Sequence, residues 1–206
     1  MHALIIANGR FPPLQLVRKL IKRADLIVCA DGGANHARKL RIKPDVILGD
    51  MDSITPSTKT FFKSIPQLLI DDQNSTDLEK AIEFCIQRKA TSIDVIGWSG
   101  DRIDHTTGSL GCFKKYGIKV ALRFVDSVGE LSLIQKWSQL KMKKGERLSL
   151  IPLERCTGVT TKNLKYGSRN ETLELGAREG ISNEATASSV TIHLKKGTLL
   201  LYRFRT

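Results

Sequence analysis

Up to about residue 125 the chain alternates short apolar runs with helical stretches, and from about residue 126 the helical rhythm stops. Residues 3–7, Leu26–Ala30, Val46–Leu48, Gln67–Ile70, Ser92–Ile96 and 119–124 read as strands. Pro12-Pro13 open a helix to about residue 23, with Leu16, Val17, Leu20 and Ile21 on one face. Further helices run from the Asp31-Gly32-Gly33 turn to about Leu40, from Thr76 or Ser75 as N-cap to about Lys89, and from Asp104-His105 to about Tyr116. Apolar strands alternating with helices call for a mostly parallel sheet covered on both faces.

Beyond that point, segments 130–135, 147–151, 156–161, 171–175, 189–194 and 198–204 read as strands separated by short turns. Lys195-Lys196-Gly197 lies between the alternating runs Val190-x-Ile192-x-Leu194 and Leu199-x-Leu201, which predicts a hairpin there. The expected fold class is therefore α/β: a Rossmann-like α/β/α domain over residues 1–125, then an all-β sandwich over residues 126–206.

Composition narrows the function classes. Hydrophobic content of 41% and charged content of 26% are those of a soluble globular protein, and no apolar stretch approaches a membrane span. Met1–Gly9 reads as a first strand and not as a signal peptide. Cys29, Cys85, Cys112 and Cys156 lie far apart without a C-x-x-C pair, so they read as reduced core residues of a cytoplasmic protein. The net charge of +12 raises nucleic acid as a partner. Residues 1–125 hold 19 Lys+Arg against 13 Asp+Glu and residues 126–206 hold 14 against 8, so the excess is spread evenly instead of forming a groove. With 6% aromatic residues and no cluster of them, a nucleic-acid-binding module is the weaker reading.

The acids are less even: eleven of the 12 aspartates precede residue 126. The sharpest grouping is Gly49-Asp50-Met51-Asp52-Ser53, directly after the apolar run Val46-Ile47-Leu48. On an extended segment alternate side chains point the same way, so Asp50 and Asp52 are expected to converge and to favour a hard divalent cation such as Mg²⁺. Asp31-Gly32-Gly33, Asn74-Ser75-Thr76-Asp77 and Gly100-Asp101-Arg102-Ile103-Asp104 take corresponding strand-to-helix positions, where doubly wound sheets bind ligands. Gly32-Gly33 before a helix would let backbone N–H groups approach an anion. Each motif also has a plain structural reading: a turn, a cap, a helix-dipole partner, a surface ion pair. Their coincidence on one edge is what favours a site. The chain lacks G-x-G-x-x-G after its first strand and has no G-x-x-x-x-G-K-[ST], which sets aside ordinary dinucleotide binders and P-loop enzymes.

These segments, in this order, resemble the thiamine pyrophosphokinase (thiamine diphosphokinase) family. The resemblance runs through Ala30–Asn35, Pro44–Ser53, Ser75–Ala81 and Gly100–His105, then through Arg147–Leu153, Thr160–Tyr166 and Gly180–Glu184. It implies transfer of a pyrophosphoryl group from ATP to thiamine, giving thiamine diphosphate and AMP, by a homodimer with active sites at the subunit interface. It further implies that Asp50, Asp52, Asp77 and Asp104 bind Mg²⁺ directly or through water. Asp31, Gly32, Gly33, Asn35 and Arg102 would hold nucleotide or phosphate, with Gln73 and Thr76 lining the site. Tyr166, Ser182, Asn183 and Thr161 would meet the vitamin. Asp77, Asp104 and His105 remain alternatives for a general base. Two departures stand out: Asn163 occupies a position where the family carries glycine, and Tyr166 one where Trp is common. The competing readings are pyrophosphoryl transfer to another hydroxymethyl heterocycle such as a pterin, a Mg²⁺-dependent hydrolase, and the nucleic-acid module.

Overall fold

The computed structural model describes residues 1–205, which fall into two compact units, Met1–Ser127 and a second beginning at Val128. The first unit runs β1 (His2–Ile6), α1 (Leu14–Ile21), β2 (Leu26–Ala30), α2 (Gly33–Lys39), β3 (Val46–Gly49), α3 (Pro56–Phe61), β4 (Gln67–Leu69), α4 (Asp77–Gln87), β5 (Ser92–Ile96), α5 (Ile103–Tyr116) and β6 (Ala121–Val125). Its strands pair in the order β6-β5-β1-β2-β3-β4, every pair parallel, as the alternation predicts.

Apart from its exposed edge strand β4, the sheet is buried on both faces. Leu4 and Ile6 of β1 share an apolar cluster with Val17 and Leu20 of α1, Ala34 and Ala37 of α2, and Phe62 just past α3. Ala3 and Ile5 point the other way by the two-residue period and are also fully buried. Helix α4 packs against β1, β2 and β3, and inserts Leu78, Ala81, Ile82 and Cys85, spaced as its helical period requires. Helix α3 escaped the sequence reading. It is one and a half turns long and mostly polar, yet its start follows the rules: Thr55 caps it by accepting from the Thr58 N–H, with Pro56 in the first turn.

Pairing outward from β1 goes to β2, β3 and β4 on one side and to β5 and β6 on the other, so the strand order reverses between β1 and β5. The loops leaving these two strands are laced together. Gly9 N–H donates to the Gly97 carbonyl and Arg10 N–H to the Ser99 carbonyl, both at 2.7 Å, and Arg10 ion-pairs with Asp101.

The second unit comprises β7 (Gly129–Leu133), β8 (Trp137–Lys141), β9 (Arg147–Pro152), β10 (Cys156–Lys162), β11 (Glu171–Leu173), β12 (Gly180–Glu184), β13 (Ser189–His193) and β14 (Leu199–Phe204). Strands β12-β9-β14-β7 pair antiparallel, as do β11-β10-β13-β8. Leu148, Leu150, Leu199 and Leu201 from the first set meet Val159, Leu173, Val190 and Ile192 from the second in one core, which makes this unit a sandwich.

The hairpin expected at Lys195-Lys196-Gly197 is not one. Strand β13 pairs with β8 and β10, while β14 pairs with β7 and β9, so this turn carries the chain from one sheet to the other. Both flanking runs alternate because both face the same core, a pattern identical to that of paired strands. Gly197 makes the crossing possible: its φ is 113°, and a Cβ there would lie 2.7 Å from the Cys156 Cα. Strands β8 and β12 were also missed, β8 because it is an edge strand that leaves Trp137, Gln139 and Lys141 exposed. Gly197→Ala should cost at least about 2 kcal/mol, since it adds backbone strain to a steric overlap with main chain. Urea denaturation checks this, and an unchanged midpoint would contradict the crossing geometry.

Candidate active site

Three carboxylates meet at the C-terminal edge of the parallel sheet. Asp31 follows β2, Asp50 follows β3, and Asp77 opens α4 beyond β4. One oxygen from each lies within 4.8 Å of the others. Glycine at position 49 makes the gathering possible, because a Cβ there would stand 2.9 Å from both the Asp31 Cβ and the Asp77 Oδ1. The backbone carries strain on either side, with Asp31 at φ 41° and Met51 at φ 65°. Such conformations persist only where the surroundings impose them, and they cluster at functional sites.

Asp31 is the innermost of the three, 5% exposed, and its Oδ1 is buried without a hydrogen-bond partner. Burial pushes its carboxyl above the ordinary aspartate range. The Gly32 N–H and the Ser53 hydroxyl oppose this, while the Asp77 and Asp50 charges add to it. A buried carboxylate with an unpartnered oxygen, grouped with two further acids, is a donor set suited to a hard cation with oxygen ligands, so these residues fit Mg²⁺.

The cluster differs in membership from the set expected for Mg²⁺, and the reason is local. Strand β3 ends at Gly49, whose φ is 141°, and the chain turns at Met51 before reaching Asp52. The extended alternation that would have aligned Asp50 with Asp52 therefore does not exist. Asp50 Oδ1 instead accepts from the Asp52 N–H at 3.2 Å, and the exposed Asp52 carboxylate accepts from the Ser53 hydroxyl at 2.8 Å. Asp104 also lies outside the three-acid group. It is exposed, and the Arg102 guanidinium, which donates to it from Nε and Nη2, holds its pKa down to about 2.

Several residues expected to touch nucleotide also carry structural roles. Gly32 and Gly33 allow close packing: a Cβ on Gly33 would stand 2.0 Å from the Ile6 carbonyl oxygen, and one on Gly32 2.3 Å from the Asn8 amide. Asn35 donates to the Ser53 carbonyl at 2.8 Å and accepts from the Thr55 N–H at 3.1 Å, pinning the loop that carries Asp50. Thr76 caps α4 in a reciprocal capping box with Glu79, as its N-cap reading predicts. Gln73 is exposed and donates to Asp71 at 3.0 Å. One residue of the site went unnoticed in the sequence. Lys80, one turn into α4, is buried and its Nζ lies 3.0 Å from Asp77 Oδ1. Its position three residues after an acid was legible, but its burial was not.

In the second unit the vitamin candidates form a supported aromatic. Tyr166 is 61% exposed. The buried Asn183 amide grips its backbone from both sides, accepting from the Tyr166 N–H at 3.1 Å and donating to the Tyr166 carbonyl at 2.7 Å. A third bond, from the Glu184 N–H at 2.9 Å, completes the Asn183 oxygen. Ser182 sits in an irregular part of β12 at φ 56°, exposed, with its N–H on the Ser149 hydroxyl. Thr161 is buried and accepts from the Ser168 N–H at 2.9 Å. Asn163 has φ 63°, so it holds the left-handed turn that glycine would serve, and its amide donates to the Ser189 carbonyl at 2.8 Å. The Lys165 ammonium lies over the Tyr166 ring at 5.7 Å, which shows that this face accepts a cation.

A parallel α/β unit with an acid cluster at its strand ends, followed by a β-sandwich presenting a braced aromatic, is the architecture of a two-domain enzyme of group transfer. Residues 17–123 match the family model for the thiamin pyrophosphokinase catalytic domain, and residues 137–199 the one for the thiamin pyrophosphokinase vitamin B1 binding domain. The chain belongs to the thiamin pyrophosphokinase family. Among relatives, a thiamine pyrophosphokinase of Oryza sativa subsp. japonica is 29% identical over 93% of this chain and 83% of that protein. The thiamine pyrophosphokinase of Bacillus subtilis is 28% identical over 97% and 96%. A crystal structure of the Bacillus subtilis enzyme superposes with a TM-score of 0.85 at 24% identity, covering 99% of each chain. That of the Candida albicans enzyme gives 0.86 at 20% identity over 99% of this chain and 89% of the other. The family match decides against the pterin, hydrolase and nucleic-acid readings.

The raised Asp31 pKa has a stability consequence with a definite sign. Folding lifts this pKa above its unfolded value, so the ionised form opposes folding of the metal-free protein. The cost sets in as pH rises past the ordinary aspartate range and is complete above the folded pKa. Asp31→Asn should therefore melt higher than the parent in a chelator at neutral pH, with the gap closing on acidification. A gap independent of pH would contradict the assignment of that cost to the carboxylate.

Proposed function

We propose that this chain transfers the pyrophosphoryl group of ATP to the hydroxyl of thiamine, releasing AMP and thiamine diphosphate, with Mg²⁺ as the required ion. The carrying observation is the three-acid cluster with its orphaned Asp31 oxygen, in a chain matched along both family domains. Asp31, Asp50 and Asp77 would hold the ion, which when bound neutralises charge on the triphosphate. Such transfers rest on positioning and electrostatics more than on covalent help from the protein. Gly49 keeps room for the three carboxylates, and Asn35 fixes the loop that delivers Asp50. Arg102 and Asp104 form an exposed pair at the same sheet edge, where the guanidinium can exchange its carboxylate partner for a phosphate oxygen. In the second unit Tyr166 offers an aromatic face to the cationic thiazolium, and Asn183 sets the backbone that aims it. Thiamine would compete there with the Lys165 ammonium.

Incubation with ATP, Mg²⁺ and thiamine should yield AMP and thiamine diphosphate in equal amounts. Asp77→Asn should lower turnover by about 100-fold or more while the protein stays folded. Tyr166→Ala should instead raise the thiamine requirement by several-fold to tens-fold, in line with roughly 0.5–2 kcal/mol for a cation on an aromatic face. Phosphate release without thiamine, or full turnover by folded Asp77→Asn, would refute this reading.

The assembly is proposed to be a cytoplasmic homodimer. Exposed apolar residues of the second unit, Trp137, Leu175 and Ile181, support an interface, and the four free, buried cysteines suit a reducing compartment. No described helix is long and apolar enough to cross a membrane. Sedimentation at micromolar protein should give about twice 22.9 kDa. A fully active monomer would count against the dimer.

A further inference from the structure

Lys80 has the burial of a core residue and the chemistry of a charge. It is 5% exposed, on a helix that also buries Leu78, Glu79, Ala81 and Ile82. A lysine near a surface ordinarily lets its ammonium reach water while the stem packs. This one keeps its head inside, 3.0 Å from Asp77 Oδ1, and lysines are almost never so buried unless paired. The neighbouring acid on the helix, Glu79, is already committed to the Thr76 N–H and to Lys115. Among the described residues Lys80 is the one cation ion-paired with any member of the three-acid cluster.

Asp77 Oδ1 thus has the Lys80 ammonium at 3.0 Å, and Gly49 leaves it room, since a Cβ there would come within 2.9 Å. The charges also match. Three carboxylates and one ammonium leave a formal −2, the charge that one divalent cation neutralises. Without Lys80 the metal-free site would confront three mutually repelling acids, one of them buried with an unsatisfied oxygen.

We propose that Lys80 is a positioning residue that locks the Asp77 carboxylate and counter-charges the acid cluster, so that the site is assembled before the cation arrives. The inference rests on the metal reading above and adds a trade-off to it. A fixed cation beside the cluster weakens the grip on free Mg²⁺ while strengthening attraction for the anionic triphosphate.

Lys80→Met keeps the stem and removes the charge. In chelator it should melt lower than the parent by more than about 5 °C, the scale on which breaking a buried pair acts in a chain of this size. Added Mg²⁺ should close most of that gap. By calorimetry, Mg²⁺ alone should bind roughly ten-fold more tightly to Lys80→Met than to the parent, and metal-free ATP several-fold more weakly. Lys80→Arg, which keeps the charge, should restore the parent's Mg²⁺ affinity. Equal Mg²⁺ and ATP affinities in the parent and Lys80→Met would reduce Lys80 to packing and overturn the inference, leaving the metal reading intact. A parent protein that binds no Mg²⁺ overturns the metal reading. Lys80 is then decided by the metal-free comparison: a cost of Lys80→Met that is undiminished in an Asp77→Asn background also overturns the inference. Should Lys80→Met fail to fold, recovery in the Asp77→Asn, Lys80→Met double variant supports the pairing, and no recovery refutes it.

Discussion

Mutual repulsion among Asp31, Asp50 and Asp77 is the constraint around which the first unit is arranged. Three acids within 4.8 Å of one another, one buried, form a costly local state that the rest of the fold must stabilise. The sheet presents Asp31 and Asp50 just past the ends of the neighbouring strands β2 and β3, while α4 brings Asp77 in its first turn. Gly49 removes the side chain that would force them apart, and Asn35 ties down the loop through which the second acid arrives. The strained φ values of Asp31 and Met51 are the backbone record of that arrangement.

Much of this was legible along the chain, because strand-to-helix junctions in an alternating pattern mark the ligand edge of a parallel sheet. Asp31, Asp50 and Asp77 each stood at such a junction. Their grouping was not legible, since it depends on which strands are neighbours and on where each strand stops. Asp52 shows the limit: two acids two residues apart share a side only if the backbone stays extended, and Gly49 with Met51 ends the extension before Asp52 is reached. Lys80 shows another. Its motif was visible, but its burial was not, since that depends on what the folded chain brings against α4.

The sandwich repeats the lesson for strands. Alternation reveals which residues face a core but not which strand lies alongside, so the β13 and β14 runs looked like a hairpin while belonging to opposite sheets. Here too, a residue expected to meet ligand has a structural role. Asn183 spends its whole amide on the main chain around Tyr166, so the exposed aromatic rests on a buried polar brace. Asn163 adopts the left-handed conformation that glycine takes most readily.

Strand β14, the last of the fold, lies inside its sheet, hydrogen-bonded to β7 on one side and β9 on the other. Residues 199–204 therefore supply the middle of a sheet whose flanks are made earlier in synthesis. As the chain leaves the ribosome, the α/β unit can complete all six of its strands while the sandwich still waits, with β7 and β9 lacking the partner that joins them. The sandwich is in this sense completed after the α/β unit. A chain lacking residues 199–204 has a gap in the core and exposes two open strand edges, on β7 and β9, of the kind that recruit other chains.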